Sequence, residues 1–267
     1  TKAVILVHLA GWPCDLEEIC NYCKDHNIYT IEDCAQSHGA KYKGKYAGTY
    51  GDLSAWSFCQ DKIITTGGEG GMVTTDNTDF YKKMWSYKDH GKCYDTVFNK
   101  QHPPGFRWLH ESLGTNWRLT EMQASLGLDS LEILPQWLEH RQCIAKIYNE
   151  NLSKVPGIRL TVPKNHIIHA YYKFYCFLIP EYFKENSRDS IILDLNKLGV
   201  SVFPGSCGEV YLENAFKYLN ISTLSNAKKL TSTALMFLCD PVITLETAKQ
   251  NILALTEIIK KYLVKIN

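Results

Sequence analysis

The sequence predicts an α/β protein with a large domain on a mostly parallel sheet and a smaller α+β carboxy-terminal domain. Three observations carry that expectation. A strand, a helix and a second strand follow one another within the first 33 residues. The opening strand is apolar nearly throughout, as strands of a covered parallel sheet are. After Pro156 the pattern changes to separated strands with single helices between them. The composition agrees, because 267 residues, 45% hydrophobic and 21% charged, can fill a sizeable core and lie far from the signature of disorder. The 29 Lys and Arg against 28 Asp and Glu leave a net charge of +1, which argues against a nucleic-acid partner held by a broad basic face. No apolar run approaches the roughly 18 to 20 residues that span a bilayer, and no secretory signal pattern is visible. The expectation is a cytoplasmic protein with no membrane partner.

The first strand is read over Ala3 to Leu9, and a helix follows with Asp15 at its N-cap and Glu17 and Glu18 in its first turn. Apolar spacings of three and four through Leu16, Ile19, Cys20 and Cys23 support that helix. The second strand, Ile28 to Ile31, ends in Glu32-Asp33. Ligands bind just outside the carboxyl ends of strands in open α/β sheets, so polar residues there matter most. Leu53 to Phe58 and Gly71 to Thr75 read as short strands around the glycine-rich segment CQDKIITTGGEG. Thr78 to Tyr87 reads as a helix, residues 88–114 as a long polar stretch, and Leu119 to Leu152 as helical periodicity broken at Pro135. Beyond it come a Tyr-rich strand (Tyr171 to Ile179), a helix (Ser187 to Leu198), a short strand (Val200 to Phe203) and a final helix from about Thr244 to Leu263. The predicted domains are 1–138 and 139–267, hinged near Trp137 to His140.

Ten cysteines are scattered through strand-like and helix-like segments, which suits reduced core residues better than a disulfide framework. Cys20 and Cys23 form a lone C-x-x-C, without the second pair a zinc site needs. His166, His169, Tyr171 and Tyr172 read as structural aromatics, and Cys207 as a loop or buried cysteine with no base assignable beside it. No metal site is expected.

Three clusters fall where a parallel sheet brings side chains together: Asp33 with Gln36, Ser57 with Lys62, and Asn116 with Arg118. Singly, each has a structural explanation as a turn cap, a backbone partner or a solvated lysine. Together they form a different set. A lysine in a glycine-rich loop, a hydroxyl five residues before it and an acid from a neighbouring strand suit an aldehyde cofactor bearing a phosphate and a ring nitrogen.

The runs EDCAQSHGA (Glu32 to Ala40), WSFCQDKIITTGGEGGMVTT (Trp56 to Thr75), KDHG (Lys88 to Gly91) and GTNWRLTEMQASLG (Gly114 to Gly127) carry a further reading. In order and spacing the sequence resembles the DegT/DnrJ/EryC1/StrS family of pyridoxal-phosphate-dependent nucleotide-sugar aminotransferases, most strongly over residues 1–140. The resemblance implies a fold-type I architecture, pyridoxal 5'-phosphate, and a homodimer with shared active sites. It also implies amino transfer, usually from glutamate, to a nucleotide-linked keto-deoxy sugar for a surface polysaccharide such as O-antigen or for a glycoside. By motif match, Lys62 takes the place of the Schiff-base lysine, and Asp33 that of the acid on the pyridine nitrogen. Gln36 takes that of the residue near the ring hydroxyl, Ser57 that of the phosphate serine, and Asn116 that of an asparagine reaching the partner subunit's cofactor.

Two departures accompany the resemblance. The loop reads TTGGEGG, one glycine longer than the common TGEGG form. Family members also extend further at the amino terminus, where a helix start holds the phosphate and an aromatic residue stacks on the ring. A chain opening inside a core strand is therefore expected to be a fragment. Two further readings stand beside the transaminase: a sugar dehydratase on the same cofactor, whose relatives carry histidine in place of the lysine, and a silent partner protein of the same fold. The segment VFPGSCGEVYLE (Val202 to Glu213) does not match the family's commoner substrate-facing pattern and leaves the sugar unassigned.

Overall fold

The computed structural model describes residues 1–105 and 107–264. The chain divides into two compact units, Thr1–Leu134 and Pro135–Asn267.

In the first unit, β1 (Ala3–Val7), β2 (Tyr29–Asp33), β5 (Leu53–Ser57) and β6 (Gly71–Thr74) form a sheet in the order β1-β2-β5-β6. β1, β2 and β5 are parallel, with Val7 opposite Asp33 and Asp33 opposite Ala55. β6 returns antiparallel to β5. The parallel pair β1 and β2 is joined by α1 (Leu16–Asp25), which buries Leu16 and Cys23. Asp15 holds the N-cap position, but without a side-chain capping bond. The strand begins as expected and ends two residues sooner, at Val7, because the chain turns there through a left-handed Ala10. It is also less covered than its composition suggests: Leu6 is buried, whereas Ile5 and Val7 are 62% and 48% exposed.

A short hairpin, β3 (Lys41–Tyr42) against β4 (Lys45–Tyr46), lies between β2 and β5. After β6 come α2 (Thr78–Lys88), capped by the Asn77 side chain on the amides of Asp79 and Phe80, and α3 (Tyr94–Phe98) inside the long polar stretch.

α4 (Glu121–Leu152) is continuous where the sequence analysis expected a break at Pro135. Proline removes one amide, whose partner would be the carbonyl of Leu131. Leu131 is 53% exposed, so water can take that carbonyl, and the helix continues. The expected hinge residues Trp137 to His140 lie inside this helix.

The second unit carries β7 (Ile158–Leu160), β8 (Ile167–Ile168), β9 (Lys173–Leu178), α5 (Ser187–Lys197), β10 (Val202–Phe203), α6 (Ser225–Thr233), β11 (Ala234–Leu238) and α7 (Leu245–Tyr262). Its antiparallel sheet runs β10-β11-β9-β7. Ile144, Tyr148 and Leu152 of α4 join Phe174, Leu195, Leu235, Phe237, Leu255 and Ile259 in its core. Arg141 is fully enclosed, donating to the carbonyls of Tyr171 and Tyr172 at 3.2 and 3.4 Å and to Asp240 at 3.1 Å. His169 stacks on Tyr171 with ring centroids 4.0 Å apart, and its Nδ1 accepts the Tyr171 amide at 2.7 Å. That contact gives the histidine a structural role, and burial holds its pKa down at about 3. Among the described residues no helix is long and apolar enough to cross a membrane.

Candidate active site

The parallel strands bring two of the candidate residues to the same edge of the sheet, Asp33 opposite Ala55 and Ser57 two residues beyond it. Asp33 ends β2 and Ser57 ends the adjacent β5, so both stand at the carboxyl edge of the sheet. Asp33 Oδ1 accepts the Ala35 amide at 3.0 Å, which turns the chain immediately after the strand. Gln36 follows on that turn, and its Oε1 accepts the Ala10 amide at 2.5 Å. The Ser57 hydroxyl accepts the Cys59 amide at 3.4 Å.

Lys62 lies in the loop that leaves this edge and returns as β6. The loop is pinned at both ends. Phe58 exchanges backbone bonds with Gly70 and Thr66, and Cys59 bridges Gly68. Ile63 and Ile64, next to the lysine, are 3% and 2% exposed and anchor the loop by apolar burial. The Thr66 hydroxyl donates to the Glu69 carbonyl at 2.9 Å, and Gln123 donates to the same carbonyl at 2.8 Å. The added glycine sits on the exit side, where Gly67 and Gly68 adopt φ of 82° and 134°. The Lys62 side chain is 16% exposed, with Asp61 at 3.9 Å.

Asn116 is placed by another part of the unit. The turn at residues 88–91 pairs with residues 111–117: His90 donates to Thr115, Thr115 to Tyr87, and Trp117 to Lys88. The two backbones touch at Gly91 and Gly114. A Cβ on Gly91 would stand 1.8 Å from the Ser112 carbonyl oxygen, and one on Gly114 would stand 2.2 Å from the Gly91 nitrogen. Asn116 Oδ1 accepts from Arg118 Nε at 3.0 Å, and that nitrogen is 3.8 Å from Asp89. Burial pushes the Asp89 carboxyl up, but the Lys92 hydrogen bond at 3.2 Å and the charges of Lys92 and Arg118 outweigh it and hold the pKa below its ordinary value.

Sequence reasoning missed a fully buried pair directly behind the edge. Glu32 accepts the amides of Gly48, Tyr50 and Gly51, each at 2.7 Å, and its Oε2 lies 3.0 Å from His8 Nε2. Burial raises the carboxyl's pKa, yet the His8 and backbone donors more than offset it and hold it below the usual value. With Cys34, these residues bring three possible metal-ligand atoms within 4.8 Å of one another. Their chemistry does not suit a cation. The carboxylate already serves four donors, and burial pushes the Cys34 thiol up to about 12. No local pattern in the sequence marks this pair, since His8 and Glu32 are 24 residues apart and meet only through the β1–β2 register.

The C-x-x-C shows no redox geometry. Both cysteines are unbridged within α1, Cys23 is buried, and burial raises Cys20 to about 11. Cys207 is exposed, with Glu213 at 3.6 Å.

A first unit built on a mostly parallel sheet, with a lysine loop at its carboxyl edge, is the large-domain arrangement of fold-type I enzymes. The sequence profile of the DegT/DnrJ/EryC1/StrS aminotransferase family matches residues 1–256, and the chain belongs to that family. GDP-perosamine synthase of Escherichia coli O157:H7 is 38% identical over 172 residues, covering 64% of this chain and 44% of that protein. The dTDP-3-amino-3,4,6-trideoxy-alpha-D-glucose transaminase of Streptomyces venezuelae is 33% identical over 162 residues, covering 61% of this chain and 40% of that protein. The crystal structure of the aminotransferase from Psychrobacter cryohalolentis superposes with a TM-score of 0.92 at 47% identity, covering 98% of this chain and 69% of that one. The chain spans about half the length of the curated relatives it matches.

Proposed function

We propose that the protein is a pyridoxal-phosphate-dependent aminotransferase that moves an amino group from glutamate to a keto-deoxy sugar carried on a nucleotide. Its product would enter a surface polysaccharide or a glycoside. The observation that carries this reading is a largely enclosed lysine in a loop pinned beside the sheet's carboxyl edge, in a chain of this family. The names of the relatives support the substrate class: one is a GDP-perosamine synthase and another a dTDP-amino-sugar transaminase.

The donor set fits pyridoxal phosphate. It offers an amine for an aldehyde, a carboxylate for a ring nitrogen, an amide for a ring oxygen, and a hydroxyl for a phosphate. Bound there, the cofactor supplies a conjugated ring that takes up electrons as a bond at the donor's α carbon breaks. Asp33, with one oxygen held by the Ala35 amide, keeps a proton on the ring nitrogen by favouring its charged form. Lys62 would hold the cofactor through Nζ, and the same nitrogen, as a free amine, would be the base that carries a proton between substrate and cofactor. Gln36 donates its amide to the ring oxygen, and the Ser57 hydroxyl donates to the phosphate. Asn116 reaches the phosphate of a partner subunit in a homodimer. Lysine rather than histidine at position 62 favours transamination over dehydration. Ten unbridged cysteines favour a reducing compartment, the cytoplasm.

The test is 2-oxoglutarate release by the full-length protein from glutamate with a panel of nucleotide keto-sugars. Lys62→Ala should lower turnover by about 10³-fold or more, and Asp33→Asn should leave a cofactor-binding but slow enzyme. Normal turnover in Lys62→Ala would refute the assignment.

A further inference from the structure

Glu32 and Asp33 are successive residues of β2, so their side chains leave opposite faces of the sheet. The proposed reaction uses Asp33 and gives Glu32 no part. Yet Glu32 is the completely enclosed member, and its fourth donor is a histidine from the segment joining β1 to α1.

That segment touches the same edge repeatedly. The His8 amide donates to the Asp33 carbonyl at 3.2 Å, and the Ala10 amide donates to Gln36 Oε1. The Cys14 amide donates to His8 Nδ1 at 3.1 Å. Two orientations follow. A backbone N–H can only donate, so His8 Nδ1 carries no proton, and Nε2 carries the one given to Glu32. By the same rule Gln36 turns its oxygen to Ala10, which leaves its NH2 group to face an oxygen of a ligand. Ala10 directs its N–H from a left-handed backbone, φ 59°, that a non-glycine residue keeps only when its surroundings hold it.

We infer that His8 is a positioning residue for the cofactor site: its ring ties the β1–α1 segment to buried Glu32 and so fixes the backbone that orients Asp33 and Gln36. The inference rests on the reading that Asp33 and Gln36 face pyridoxal phosphate.

The test uses full-length protein with His8→Phe, which keeps a ring and loses both bonds, and His8→Gln, which keeps a donor for Glu32. Pyridoxal phosphate affinity, the pH midpoint of the bound cofactor's visible absorbance and the thermal midpoint are measured together. His8→Phe should weaken affinity about tenfold or more and move the absorbance midpoint, while His8→Gln should stay within about threefold of the unmodified protein. Unchanged affinity and absorbance midpoint in His8→Phe, even with lowered thermal stability, would overturn the inference. Should His8→Phe fail to fold, hydrogen exchange in the unmodified protein decides. The amides of Ala10 and Cys14 should slow about tenfold or more on adding pyridoxal phosphate, with those of α7 unchanged; no slowing overturns the inference. Absence of any pyridoxal phosphate binding by the unmodified protein would instead remove the functional reading on which it stands.

Discussion

Replacing Gly91 by alanine tests the contact that seats Asn116. Gly91 has a φ of +81°, and an alanine there pays for a left-handed backbone, about 1 to 2 kcal/mol. The new methyl would also stand 1.8 Å from the Ser112 carbonyl oxygen and 2.6 Å from its carbon. Those atoms are backbone, tied down by the bonds from Glu111 and Ser112 to the Gly91 carbonyl, so relief requires the two strands of the turn to part. Overpacking of that kind adds about 1 to 3 kcal/mol, for a total of about 2 to 5 kcal/mol. Gly44 supplies the control: its φ is +82°, but an added Cβ would meet nothing within 4 Å. Gly44→Ala should therefore show the backbone cost alone. Urea unfolding of the two variants, followed by tryptophan fluorescence, compares them under one set of conditions. Equal destabilisation would refute the claim that backbone contact at Gly91, rather than its dihedral angle, demands glycine.

Arg141→Met should destabilise the second unit by about 3 to 5 kcal/mol, because it strips two enclosed carbonyls and Asp240 of their donor; thermal denaturation measures it. His169, with its folded pKa held near 3 against an ordinary 6.5, should contribute stability that is full above pH 6.5 and declines as pH falls toward 3. His169→Asn should lessen that acid sensitivity in a pH series of unfolding curves. Thr244→Ala removes the hydroxyl that accepts the Thr247 amide at 3.0 Å and should cost about 1 kcal/mol, read by denaturant midpoint.

Local chemistry made part of this molecule legible. The strand, helix and strand at the start follow from apolar runs and an acidic helix start, and Asp33 and Ser57 were visible as polar residues ending such runs. The final helix was readable to within a residue of each end, and the structure makes Thr244 its cap. What escaped was set by distant parts of the chain. β11, central in the second sheet, follows α6 without a turn residue between Thr233 and Ala234, so its ALMFL run carries no boundary. Pro135 looked like a stop because a sequence does not show that the helix turn before it, at Leu131, is open to solvent. His8 lies inside the apolar run read as the first strand, and only the parallel register makes it the neighbour of Glu32.

The antiparallel return of β6 has a consequence for how such a protein can vary. Registered pairing of Ser57 with Gly71 closes the lysine-bearing excursion like a clasp. Slack taken up among glycines downstream of Thr66 therefore need not travel back to the amine, because the buried isoleucines stand between them. Insertions there can accumulate as drift while the Lys62 amine keeps its distance from the strand that launched it.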